Sequence, residues 1–263
     1  MIKEDYIKEY QKCKDDPIYF LKNYIKVVHP VRGLVPFSLY PFQETIVNEI
    51  QGNRFNILRK FRQAGCTTLA SGLSLWEVIF KSHQTIVILS VGDTESTEVL
   101  DRIKIMYDEL PDWIKPKATM INAHNLKLEN NSHIKSRPSG KQSGRGLSGS
   151  WLIIDEAAFI EHIDTIWAAV YPIISTGGRA FILSTVNGMG NWYYDAWNKA
   201  EAGANSFNPI QIDWKSHPEY NRVEGYEDLY KEMETRNPPV FIDEWEKTTR
   251  ANISHKKWLQ EYE

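Results

Sequence analysis

Lys60-Phe61-Arg62-Gln63-Ala64-Gly65-Cys66-Thr67-Thr68 is the stretch on which the fold turns. It follows the apolar run Phe55 to Leu58 and precedes a helical-looking segment, the place of a phosphate-binding loop between a strand and a helix. Such loops read G-x-x-x-x-G-K-[ST]. Setting the second glycine on Gly65 puts Thr67 on the metal-binding hydroxyl, but Lys60 then stands for the first glycine and Cys66 for the lysine. A phosphate cradle without its lysine lacks its main point charge unless another cation reaches the same oxygens. Lys60 is the candidate for that cation. A solvated basic turn is the other reading of these residues.

Residues 151 to 156 strengthen the phosphate-loop reading. Trp151-Leu152-Ile153-Ile154-Asp155-Glu156 is an apolar strand ending in two adjacent carboxylates, the form of a Walker B strand. There the first carboxylate, Asp155, holds Mg²⁺ with Thr67, and the second, Glu156, polarises an attacking water. Strand ends often carry solvated acids, so the pair gains meaning from the loop upstream of it.

Length and charge bound the rest. A chain of 263 residues buries a sizeable core as one large domain or a domain with an appendage. The net charge of −3 does not indicate a grip on nucleic acid over the whole surface, although it leaves room for a local basic face. Cys13 and Cys66 are the two cysteines, too few and too far apart for a disulfide framework or metal-ligand spacing, which suits a reducing cytoplasm. The amino terminus has no signal-peptide core, and no apolar run is long enough to span a membrane.

Along the chain, apolar positions at helical spacing predict a helical lead-in over residues 4 to 28, interrupted near Pro17. Tyr40-Pro41-Phe42-Gln43 has two readings: the Phe42 ring and the Gln43 amide clamp an adenine base, or Pro41 simply opens a helix. Beyond the loop, the pattern predicts a helix over 68 to 80, a strand over 85 to 89, a helix capped by Asp93 or Thr94, and strands near 126 to 129 and 133 to 137 joined by an Asn130-Asn131 turn. Residues 138 to 150 look flexible, and Arg145 between two glycines is either part of a mobile turn or a guanidinium that swings toward phosphate. A helix over 161 to 171 precedes the buried strand 180 to 183, whose end, Ser184-Thr185-Val186-Asn187-Gly188, is either a capped turn or a sensor of the γ-phosphate. Strand and helix signals that alternate in this way predict a mostly parallel sheet flanked by helices, with the site at the carboxyl ends of the strands. From Gly203 the chain turns richer in charge and aromatics, with helices expected at 224 to 235 and 253 to 262. We therefore divide it into a core over 1–202 and a small subdomain or lid over 203–263.

These motifs, in this order, resemble the large terminase subunit of tailed bacteriophages. The resemblance is carried by Asp16-Pro17-Ile18-Tyr19-Phe20, Arg32 to Phe37, Tyr40-Pro41-Phe42-Gln43, Arg62 to Thr68, Gly144-Arg145-Gly146, Asp155-Glu156-Ala157-Ala158-Phe159-Ile160 and Ser184 to Gly188. It implies an α/β P-loop NTPase of the ASCE type, binding ATP through Phe42, Gln43, Lys60, Gln63, Ala64, Gly65, Cys66, Thr67 and Thr68. It implies Mg²⁺ on Thr67 and Asp155, and Glu156 orienting the hydrolytic water. Arg62 would act in cis and Arg145 on a neighbouring subunit's ATP, while Ser184, Thr185 and Asn187 couple hydrolysis to movement. The implied activity is ATP-driven packaging of double-stranded DNA into a procapsid in the host cytoplasm, by a pentameric ring on the portal protein working with a small terminase subunit. Cys66 departs from the family pattern, and some members carry the lysine where Lys60 stands. The sequence stops near where a nuclease domain would begin, so no DNA cleavage is expected of it. A helicase-like DNA translocase and a nucleotide-binding assembly protein without hydrolysis are the alternatives.

Overall fold

Period-two alternation along each central strand sends apolar side chains to both faces of one sheet, and helices cover both. The computed structural model describes residues 3–140, 149–236 and 238–262. The chain runs α1 (Lys3–Asp15), α2 (Pro17–Tyr24), β1 (Lys26–His29), β2 (Gly33–Pro36), α3 (Pro41–Gly52), β3 (Phe55–Arg59), α4 (Cys66–Phe80), β4 (Thr85–Ser90) and α5 (Asp93–Asp108). It continues through β5 (Ala118–Ile121), β6 (Asn125–Leu128), β7 (His133–Pro138), β8 (Trp151–Asp155), α6 (Ile163–Ser175), β9 (Arg179–Ser184), α7 (Trp192–Glu201) and β10 (Asn208–Gln211). Three short helices close it: α8 (Glu227–Glu234), α9 (Trp245–Asn252) and α10 (His255–Tyr262).

The main sheet has eight strands in the order β10-β3-β9-β8-β4-β7-β6-β5, and β1 and β2 form a separate hairpin. Pairing is parallel from β10 to β7 and antiparallel for β6 and β5. On one face Leu58, Ile86, Ile88, Ile153 and Phe181 pack with α2 to α5. On the other Ile57, Val87, Leu152, Ile154 and Ile182 pack under α6 and α7. β9 lies between β3 and β8, so the end of the 180 to 184 strand sits between the phosphate loop and the two carboxylates.

Several boundaries differ from the sequence expectation. The lead-in helix breaks at Asp16, whose Oδ1 accepts from the Tyr19 N–H at 2.9 Å while Pro17 opens α2, and it ends at Tyr24 rather than 28. Val27 and Val28 pair instead with β2, where β-branched residues fit better. Gly92, not Asp93 or Thr94, takes the cap of α5. β5, β10, α7 and α9 were not expected. β10 lies beyond the expected boundary at 203 yet pairs along β3, and Trp214 and Trp258 belong to the main core, while Tyr230, Met233 and Ile242 form a small cluster of their own.

Candidate active site

β3 delivers the chain to Lys60, whose N–H donates to the Ser184 carbonyl at 3.0 Å and so ties the loop's start to the end of β9. The loop then reverses through Gln63 at φ +61° and Gly65 at φ +70° before α4 begins at Cys66. Gly65 is required twice over. Its φ is left-handed, and a Cβ there would lie 2.7 Å from Gln43 Nε2. That Gln43 amide, 2% exposed, donates to the Ala64 carbonyl at 3.0 Å and accepts from the Tyr40 N–H at 3.1 Å. Gly65→Ala is therefore expected to cost roughly 1–3 kcal/mol, read as a drop of about 2–4 °C in Tm per kcal/mol. An unchanged melting curve would mean the loop is not held in this form.

Beneath the first turn of α4, the Thr67 hydroxyl donates to Asp155 Oδ2 at 2.9 Å. Asp155 is 8% exposed and also accepts from the Glu156 N–H at 3.1 Å. Burial pushes its carboxyl up, and Lys60 works against that. Lys60 is itself buried, with Nζ 2.6 Å from Glu156 Oε1. Burial pulls the ammonium down, but Glu156 and Asp155 outweigh it and hold the group above its ordinary value, so Lys60 stays charged. Cys66 supplies no charge here, since burial raises its thiol to about 12.

Glu156 follows Asp155 at φ +52°, an uncommon conformation for a residue with a side chain, and this turn aims its carboxylate back at the loop. Its second oxygen accepts from the Ser184 hydroxyl at 3.4 Å and the Thr185 N–H at 3.3 Å. Ser184 Oγ also accepts from the Ala158 N–H, and the Asn187 amide donates to the Ala158 carbonyl at 3.0 Å. A hydroxyl joined to a carboxylate, next to a partly exposed carboxylate and a fixed ammonium, can hold a cation and an anion together. The helix N-terminus beside them favours the anion.

Among the described residues, no group of three or more histidine, cysteine or acidic side chains is placed to hold a metal ion. The Thr67 and Asp155 oxygens are hard donors, and one or two such ligands completed by phosphate oxygens is what Mg²⁺ takes. The residues fit that ion.

The terminase large subunit family, described as T4likevirus-type, N-terminal, matches residues 57–259. The chain belongs to that family. The fold agrees. The large terminase ATPase domain of Thermus phage P74-26 superposes with a TM-score of 0.59 at 18% identity, over 86% of this chain and 93% of that one. The HK97 bacteriophage large terminase gives a TM-score of 0.68 at 15% identity, over 95% of this chain and 54% of that one. A large terminase from a thermophilic bacteriophage in complex with ADP gives 0.56 at 10%, over 74% and 50%. This chain thus spans about half of the longer terminases it matches.

In this terminase chain the structure gathers Lys60, Gly65, Thr67, Asp155, Glu156, Ser184 and Thr185 at the carboxyl ends of β3, β8 and β9. It treats other expected residues differently. Phe42 does not line the cleft beside the loop; its ring packs into the core 5.9 Å from that of Phe61, turned inward at the first turn of α3. That cleft, 710 Å³, is lined by Tyr40, His217, Tyr220 and Tyr226 and by Gln43, Gln63, Gly65 and Thr68. Burial lowers His217 to about 4, so the ring is neutral at pH 7. The cleft aromatics from 217 onward lie far from the loop along the chain, and nothing in their local pattern connects them to it. Arg62 points outward, 58% exposed, and pairs with Glu261 at 3.0 Å. Asn187 sits behind Glu156, on the Ala158 turn. Arg145 lies outside the described residues. No helix among the described residues is long and apolar enough to cross a membrane.

Proposed function

We propose that the chain hydrolyses ATP at the end of β8 and uses the energy to move double-stranded DNA into a procapsid. The observation that carries this is the joining of Thr67 to Asp155 at 2.9 Å and of Lys60 to Glu156 at 2.6 Å beneath the start of α4. Mere nucleotide binding has no use for a second carboxylate held beside the phosphate site. The aromatic cleft takes the base, and the loop N–H groups with α4 take the phosphates. Thr67 and Asp155 would hold Mg²⁺, which would supply neutralisation of the charge on the phosphate oxygens. Lys60 places its charge on the terminal phosphate in place of the lysine missing at 66. Glu156 then accepts a hydrogen bond from the attacking water and orients it in line with the bond that breaks. That a structurally similar large terminase is solved in complex with ADP supports a nucleotide ligand for this chain.

Ser184 and Thr185 contact Glu156, and Asn187 contacts the turn that follows it. Displacement of Glu156 therefore reaches the loop after β9, and that is the coupling path. Arg145 completes the site of a neighbouring copy in a ring on the portal protein, in the host cytoplasm, with the small terminase subunit delivering DNA. Steady-state phosphate release with Mg²⁺ over a wide range of chain concentration tests this reading. Specific activity that climbs with concentration, and that Arg145→Ala removes, is the expected result. Flat specific activity, unaffected by Arg145→Ala, refutes the shared site and leaves Arg62 as the arginine in use. No phosphate release at any concentration, with portal and DNA added, refutes the motor.

A further inference from the structure

α10 reaches the phosphate loop from the far end of the chain. The Glu261 carbonyl accepts from the Arg62 N–H at 2.6 Å, and its carboxylate takes Arg62 Nη1 at 3.0 Å and Lys257 Nζ at 2.6 Å. One residue earlier, Gln260 Nε2 donates to Asn187 Oδ1 at 3.2 Å. α10 is pinned by Trp258, 1% exposed, whose ring meets Tyr262 at 4.8 Å and Trp214 at 5.6 Å. One helix thus touches both the loop that would hold the phosphates and the loop that would sense them.

A simple tether would not need a charge. A carboxylate only 7% exposed has to be answered by cations. Two cations answer it, and of these Arg62 alone belongs to the phosphate loop. Its guanidinium is more than half in solvent, so leaving Glu261 for a phosphate oxygen strands little buried surface. Lys257 remains to answer Glu261 when Arg62 leaves.

We propose that Glu261 is a positioning residue that holds Arg62 back from the nucleotide phosphates, and that Lys257 sets how firmly it does so. The inference rests on the ATP reading of the site. Binding then includes an exchange in which Arg62 passes from Glu261 to phosphate and Lys257 keeps Glu261 paired. Because Gln260 holds Asn187, the same exchange loosens α10 on the sensor loop.

The test is the affinity of the full chain for a non-hydrolysable ATP analogue and for ADP, with melting curves alongside. Glu261→Gln keeps the shape and an acceptor but drops the charge, and it should tighten analogue binding about two- to five-fold. Lys257→Ala leaves Glu261 wholly to Arg62 and should weaken binding by about two-fold. In an Arg62→Ala background both shifts should vanish. A merely structural Glu261 would lower Tm in Glu261→Gln and leave affinity alone, which overturns the proposal. So do shifts of the same sign in the two variants, or shifts that persist without Arg62. Failure of the wild-type chain to bind either nucleotide overturns the ATP reading together with this one; binding without the predicted shifts overturns this one alone.

Discussion

Glu156→Gln is expected to lower ATP turnover by about 10²- to 10⁴-fold while nucleotide binding holds or tightens. Glutamine keeps the size of the side chain and can still accept from Ser184 and the Thr185 N–H, so the turn at φ +52° and the contacts behind it are retained. What goes is the negative charge that orients water and that pairs with Lys60 at 2.6 Å. Releasing that pair frees the ammonium for phosphate, which is why affinity should not fall. Phosphate release gives the first quantity and titration with a non-hydrolysable analogue the second. Turnover within ten-fold of wild type would remove Glu156 from the reaction. Lost analogue binding would show instead that its charge holds the loop in shape.

The parts of this site legible in the sequence are those whose chemistry is local. Gly65 and Thr67 sit at fixed offsets in one loop, and Asp155 and Glu156 close one apolar strand, so spacing alone places them. Alternation of strand and helix signals predicts a parallel sheet but not the order of its strands, and it is the order, with β9 between β3 and β8, that decides that Ser184 and Thr185 meet Glu156. Phe42 shows the limit of local reasoning: next to Gln43 it looks like half of a base clamp, yet helix geometry turns the ring into the core. The cleft is walled instead by Tyr40 and by residues 217, 220 and 226, which no periodicity connects to the loop. The Arg62–Glu261 pair spans 199 positions, and β10 is four residues long with only Ile210 buried. Contacts of that kind are set by packing of the whole chain, where short-range pattern has no purchase.

Lys60→Met separates the two tasks this residue performs. Methionine keeps most of the buried stem, so the core around β3 should stay filled and the loss is mainly one of charge. With nothing between them, Asp155 and Glu156 repel, and Glu156, 36% exposed, escapes part of that cost toward solvent. A destabilisation of about 1–3 kcal/mol follows, discounted for that exposure. The second loss is larger in function. A charge-assisted bond from ammonium to phosphate is worth about 1.5–3 kcal/mol, so ATP affinity should fall by roughly ten- to a hundred-fold. Melting with and without saturating analogue distinguishes the two. The wild-type chain gains about 2.7 kcal/mol at a hundred times Kd, and the variant at the same concentration should gain much less. Lys60→Arg should restore charge between the carboxylates but not the reach of a single ammonium in a buried loop, so stability should recover further than affinity. If Lys60→Met instead melts lower yet gains the full ligand shift, Lys60 is a structural counter-ion for the two carboxylates, and the phosphate charge must come from Arg62 when α10 releases it.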